Sequence, residues 1–284
     1  MELKEWAEKG QMVSVLGRDV FVIDIGKSDE TLVILHGYGT SSIDYYKVLP
    51  QLTQNYRVII QDFIGFGFSD KPVAYYFNIL EQADVTLELW RILGLKNIIL
   101  LSHNYGNLVS LEILKRVKTE FANIQIQKLL FLNSTISFNY KNNSNDNVQP
   151  LEEFAKITRL MSCTFSFYKK KMKEFFFDGN KISDEDIKAK WDLLQHNNGD
   201  KTINFLYDYN TESKLLWSRW FSYLKHNKIP TKIISGKNDA IFIEEEALLL
   251  AEEFNNSTLN LIENCGHYPM LEQPEEFLQL VFAS

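Results

Sequence analysis

The chain has 284 residues, 45% of them hydrophobic and 24% charged, enough to bury a sizeable core in a soluble globular protein. Thirty Lys and Arg against 37 Asp and Glu leave a net charge of -7, which argues against nucleic acid as a partner, because phosphate binding needs a basic face. Two cysteines, Cys163 and Cys265, cannot build a disulfide framework; MELKEWAEKGQ lacks an apolar leader core and no apolar run approaches a membrane span, so a cytoplasmic setting without membrane contact is expected.

The first elements read as short buried strands alternating with helices. Strands are predicted at 19–25 (DVFVIDI), 31–35 (TLVIL), 56–61 (YRVIIQ), 97–102 (NIILLS) and 128–133 (KLLFLN). Their Val, Ile and Leu do not alternate with polar residues, as expected for strands covered on both faces. Helices are predicted at roughly 43–53, 78–93 and 105–118, and this order argues for a parallel sheet with helices on both sides. From about 138 to 227 no convincing strand is visible, after an Asn-rich loop at 141–147. Strand–helix alternation resumes at 231–235 (TKIIS), with a helix near 243–255, a strand near 258–262 (TLNLI) and a last helix from about 274. The expected organisation is an α/β core over 1–137 and 228–284, with a helical cap over 138–227 on the sheet edge where open α/β sheets bind ligands. In that cap, Tyr168-Lys169-Lys170-Lys171-Met172-Lys173 followed by three phenylalanines predicts an amphipathic helix with a solvated Lys face and a buried Phe face.

Four loops carry the chemistry. Ser102-His103-Asn104-Tyr105-Gly106 follows a buried strand and opens a helix. This is the shape of a nucleophile elbow, G-x-S-x-G, with Asn104 at the centre and the small Ser102 and Gly106 relieving the strained turn. His36-Gly37-Tyr38-Gly39 follows TLVIL, and a turn there aims a backbone N–H at the elbow, so the amides of Tyr38 and Tyr105 are the expected oxyanion pair. Asp239 ends a late strand and His267 lies in the loop Glu263-Asn264-Cys265-Gly266-His267, giving the chain order nucleophile, acid, histidine. The loop 62–70 (DFIGFGFSD) reads as structural, with Phe63 a pocket-wall candidate. His36 and Trp220 are further candidates for the substrate site, although burial alone also accounts for Trp191, Trp217 and Trp220. No metal-ligand spacing or cofactor motif is present, so neither is expected.

The segments HGYGTSS, QDFIGFGFSDKP, LSHNYGN, SGKNDAIF and NCGHYP resemble the α/β-hydrolase superfamily. More narrowly they are similar to its haloalkane dehalogenase and epoxide hydrolase branch, and within it to hydrolases of the mesoderm-specific transcript group, whose cap WDLLQHNNGD (191–200) resembles. The resemblance implies an eight-stranded, mostly parallel sheet with helices on both faces and an inserted helical cap. It also implies a cofactor-free reaction on a small apolar epoxide, halide or ester. In that branch an elbow aspartate attacks carbon to form an alkyl-enzyme ester, which a histidine-activated water then hydrolyses. Position 104 would carry the nucleophile, His267 the base and Asp239 its orienter. This sequence departs at the decisive residue: Asn104 offers a neutral amide. One expectation is that Asn104 replaces an aspartate and silences the enzyme. The alternatives are a silent relative that binds a small apolar ligand or a protein, or slow conversion of Asn104 to aspartate. Tyr105 and Tyr38 stand where dehalogenases keep halide-binding residues, and Tyr168, Tyr207, Tyr209 and Tyr223 are the cap tyrosines available to protonate an epoxide.

Overall fold

The computed structural model describes residues 2–73, 75–118, 123–134, 164–202, 209–241 and 244–283. Eight strands form one sheet: β1 Gly10–Val15, β2 Arg18–Ile25, β3 Thr31–Leu35, β4 Arg57–Gln61, β5 Asn97–His103, β6 Gln125–Leu132, β7 Thr231–Gly236 and β8 Ser257–Ile262. Their spatial order is β1-β2-β4-β3-β5-β6-β7-β8. β2 pairs antiparallel with β1 and β4, and all other pairs are parallel. The α/β-hydrolase architecture expected from the sequence is thus present, with β1 added at the edge.

The helices of five or more residues are α1 Leu3–Ala7, α2 Leu49–Asn55, α3 Ile79–Ile92, α4 Tyr105–Lys118, α5 Phe165–Glu174, α6 Asp184–Gln195, α7 Tyr209–Leu224, α8 Glu244–Glu253 and α9 Pro274–Phe282. The chain leaves β3 towards β4 through α2, then turns back to β5 through α3. Right-handed crossovers in opposite directions put α2 on one face and α3 and α4 on the other. On the α2 side, Tyr56 stacks on Phe282 at the end of α9. The direction change lies between β3 and β5, and the crevice at their C-terminal ends is where such sheets place a ligand site.

Local departures from expectation have local causes. The predicted helix at 43–53 is two pieces, a 3-10 turn Ser42–Tyr45 and then α2, whose first turn contains Pro50; proline favours a helix start and breaks an interior. Between α5 and its phenylalanines the expected face is wrong: Tyr168 and Met172, four residues apart, fill the buried side of α5, and Phe175 and Phe176 are buried beyond its C-terminus while Phe177 is exposed.

The helices between β6 and β7 are tied to the rest of the chain by polar groups. Lys190 of α6 is buried with its Nζ on Asp44 Oδ1, which also accepts from Thr40 Oγ1 at 2.6 Å. Lys71 Nζ donates to the carbonyls of Gly67, Leu193 and His196, bridging core and cap, and burial pushes its pKa down to about 8. Tyr46 donates to Asp186 Oδ2 at 2.7 Å. From the α7 side, Arg219 and the Trp220 indole reach Glu112 of α4. The Asn-rich loop and residues 138–163 of the expected cap lie outside the described residues. No helix among the described residues is long and apolar enough to cross a membrane.

Candidate active site

The elbow forms where β5 runs into α4. Asn104 has φ 51°, the left-handed region that a non-glycine residue occupies at a cost of ~1–3 kcal/mol. Its backbone is held from both sides: its N–H donates to Leu132 O at 3.1 Å, and its carbonyl accepts from Asn107 N–H at 3.0 Å. Gly106 is required for close approach, since a Cβ there would lie 2.5 Å from the Leu35 carbonyl oxygen. The α4 start can therefore pack onto the β3 tip only without a side chain at 106.

The Asn104 side chain is sorted by its neighbours. Oδ1 accepts the backbone N–H of Tyr105 at 2.6 Å and that of Tyr38 at 3.2 Å. Two donors fix which end of the amide is oxygen. Nδ2 then faces His267 Nε2 at 3.4 Å. On the far side of the ring, His267 Nδ1–H donates to Asp239 Oδ2 at 2.8 Å. All three side chains are buried, with Asn104 6% exposed. The structure therefore brings Asn104, His267, Asp239 and the amides of Tyr38 and Tyr105 together.

Asp239 is fixed through both oxygens. Oδ1 accepts Ile241 N–H at 2.8 Å, and Oδ2 accepts Asn133 Nδ2 at 2.7 Å beside the imidazole. Asn133, at the β6 tip with φ 39°, also donates to Gly266 O at 3.2 Å. Sequence reading missed it; the available signal was a lone Asn closing the apolar run KLLFLN at a strand's C-terminal end.

Glu272 was also missed. It is 3% exposed, and its carboxylate accepts the N–H groups of Gly266 at 2.9 Å, Tyr268 at 3.0 Å and Phe177 at 2.8 Å. Burial raises its pKa, and the backbone N–H bonds oppose that rise. The first two donors bracket His267, and the third comes from the cap segment after α5. The same segment accepts His267 N–H on Phe175 O at 2.9 Å. One carboxylate thus clamps the histidine loop to the cap. Glu272→Ala leaves buried N–H groups without an acceptor, at ~1–3 kcal/mol for a buried group. Lower stability in denaturant and fast hydrogen exchange at Gly266, Tyr268 and Phe177 are expected; unchanged protection at these amides would contradict the clamp.

His103, beside the elbow, donates from Nε2 to His267 O at 3.0 Å, and its ring lies 4.7 Å from that of His267. Burial, with His267 close by, pushes its pKa well below the ordinary histidine value, so it is neutral.

Two candidates are placed elsewhere than expected. His36 uses both ring nitrogens on the scaffold: Nδ1–H donates to Gly37 O at 2.7 Å and Nε2 accepts Phe63 N–H at 3.0 Å. It joins the 36–39 turn to the 62–70 loop and has no nitrogen left for substrate; burial lowers its pKa and keeps it neutral. Trp220 is fully buried with Nε1 3.0 Å from Glu112 Oε2, so it anchors α7 to α4. Burial pushes the Glu112 carboxyl up, but Arg219, Trp220 and Arg116 donate to it and hold it below its ordinary value. Phe63 packs on His36 at 4.8 Å and on Tyr105 at 5.6 Å between ring centroids, and Tyr38 meets Tyr105 at 6.2 Å. These rings form an aromatic wall beside the elbow. Of the cap tyrosines, Tyr168 is buried against Trp191 and Tyr223 lies 3.3 Å from Asn227 Oδ1; Tyr207 and the side chain of Tyr209 lie outside the described residues.

An eight-stranded, mostly parallel sheet with an elbow, an oxyanion turn and a histidine–acid pair at its switch point defines the hydrolase class of α/β proteins. The α/β hydrolase fold family matches residues 30–274, and the chain belongs to it. The chain is homologous to mesoderm-specific transcript protein of Mus musculus, at 33% identity over 299 residues covering 97% of this chain and 85% of that one. Among solved structures, the epoxide hydrolase CorEH has a TM-score of 0.78 at 19% identity, with 96% of each chain covered. A meta-cleavage product hydrolase from Pseudomonas fluorescens IP01 has a TM-score of 0.81 at 18% identity, also covering 96% of each chain. These two likenesses are of fold.

Proposed function

We propose that this is a hydrolase site of the carboxylate-nucleophile kind, with residue 104 as the reacting group and Asn104 holding the site silent. One observation supports this reading above the rest: both oxyanion donors point at the side-chain oxygen of residue 104 itself. In a site with a hydroxyl nucleophile, those donors would serve a substrate carbonyl. Here they serve the side-chain oxygen of residue 104, where negative charge returns when its own ester is attacked.

The chemistry follows for an aspartate at 104. One carboxylate oxygen sits in the amide pair, and the other takes the place of Nδ2. That second oxygen attacks an electrophilic carbon, displacing a halide or opening an epoxide, and leaves an alkyl ester on residue 104. His267, held by Asp239, takes a proton from water, the water oxygen adds to Cγ, and the amides of Tyr38 and Tyr105 hold the charge on Oδ1; the C=O then re-forms, the bond from Cγ to the alkyl oxygen breaks, the His267 proton leaves with the alcohol, and the acid at residue 104 ionises again. A general base works only unprotonated, so activity is expected to fall on acidification. Tyr38 and Tyr105, with Phe63 packed behind them, give the elbow an apolar surround, which favours a small apolar substrate, an epoxide, halide or ester. The resident amide of Asn104 is a poor nucleophile, so the first step stops.

The test is a substrate panel of epoxides, haloalkanes and esters, run on the chain and on Asn104→Asp. Turnover is expected in the variant and not in chain that still carries Asn104. An inert variant that still binds apolar ligands would support the silent-relative reading.

A further inference from the structure

We infer that the site hydrolyses its own Asn104 side chain, making residue 104 an aspartate; this rests on the reading of residue 104 as the seat of a carboxylate nucleophile. The amide is oriented as a substrate would be. Its carbonyl oxygen occupies the two-donor hole at 2.6 and 3.2 Å, and its nitrogen, the group that must leave, faces the imidazole at 3.4 Å. Oxyanion donors, general base and leaving-group acid thus converge on one amide, and Asn104 is not sealed, with 6% of its surface open.

The step balances with water alone. His267 Nε2 takes a proton from water as its oxygen bonds to Asn104 Cγ, and the carbonyl electron pair moves onto Oδ1 under the amides of Tyr38 and Tyr105. His267 Nε2–H then gives that proton to Nδ2, the C=O re-forms, the Cγ–Nδ2 bond breaks and ammonia leaves. The acid formed ionises and occupies the same hole. The uncatalysed alternative, cyclisation through Tyr105 N, is opposed because that N–H is engaged on Oδ1 and the Asn104 carbonyl is held by Asn107.

The groups facing His267 are Asp239 on Nδ1, His103 and Asn104 from the elbow, Phe175 from the cap, and Tyr268 and Glu272 from its own loop. Burial keeps His103 and Tyr268 neutral around neutral pH, lowering the first and raising the second.

The experiment incubates the freshly purified chain in heavy-oxygen water at neutral pH, followed by peptide mapping. Exposed Asn198, followed by Gly199, is the internal clock for uncatalysed deamidation. Residue 104 is expected to become an ordinary aspartate with one heavy oxygen and no isoaspartate. His267→Gln should slow the conversion ~10²–10⁴-fold, and acidification should slow it in the unmutated chain. Persistence of Asn104 after Asn198 has deamidated, equal conversion in His267→Gln, or an isoaspartate mixture would each overturn the inference. Asn104→Asp made directly separates the two readings. If it turns over substrate while Asn104 never converts, only self-conversion fails. If Asn104 converts and the product is inert to the panel, only the hydrolase reading fails.

Discussion

In an Asn104→Asp, His267→Gln double variant, a haloalkane or epoxide is expected to leave a long-lived alkyl ester on residue 104, with turnover ~10²–10⁴-fold below that of Asn104→Asp alone. The two steps make different demands. Attack on carbon needs only the carboxylate placed where Nδ2 now lies, and the hole already holds the other oxygen through Tyr38 and Tyr105. Hydrolysis of the ester needs a base, and His267 Nε2 is the ring atom 3.4 Å from the Asn104 side chain, with Nδ1 committed to Asp239. Removing the imidazole therefore stops the second step and spares the first. Intact-mass analysis reads the adduct directly. Full turnover without an adduct would mean that another group activates water.

The second large effect concerns the cap. Asp44→Ala is expected to destabilise the fold by ~3–5 kcal/mol, the usual cost of leaving one member of a buried ion pair alone. Lys190 and Asp44 are 4% and 0% exposed, so no water compensates the lost partner. The Lys190→Met, Asp44→Ala double variant should recover most of the loss, because an apolar pair leaves no stranded charge. Burial pushes the Lys190 pKa below that of an unfolded lysine. Between those two values the folded state binds fewer protons than the unfolded one, so this contribution rises with pH and is lost as pH falls. Burial brings the folded Lys190 pKa down to about 7, so the Asp44→Ala defect should shrink as pH rises through that value and the folded lysine loses its proton. Denaturant unfolding across pH measures both; a single variant as stable as the parent would remove the pair from the account.

The parallel strands and the elbow were legible because their physics is local. Both-face burial writes unbroken Val, Ile and Leu runs, and the helix predicted over 105–118 begins and ends with α4. Strand β1 was not legible: it is an edge strand, only Val15 of its residues is buried, and it lacks that apolar signature. Asn104, His267 and Asp239 could be read because each sits in a short motif at a strand tip. Asn133 and Glu272 could not, since each is a polar residue closing a short apolar run and its meaning comes from backbone in other loops: Gly266 for the first, Gly266 and Phe177 for the second. Trp220 shows the reverse failure. A buried tryptophan reads alike as pocket wall or anchor, and only its partner Glu112, 108 positions away, decides between them. His36 was misread for a similar reason, because its acceptor role toward Phe63 depends on how two loops meet.

The central claim is that the oxyanion pair belongs to residue 104's own carboxyl group. A single turnover of the Asn104→Asp variant in heavy-oxygen water, with an epoxide or haloalkane from the panel, tests it most directly. Heavy oxygen is expected in the side chain of residue 104 and unlabelled oxygen in the released alcohol, because water attacks Cγ. Label in the alcohol with residue 104 unlabelled would mean that water attacks the substrate itself, and the account would be contradicted.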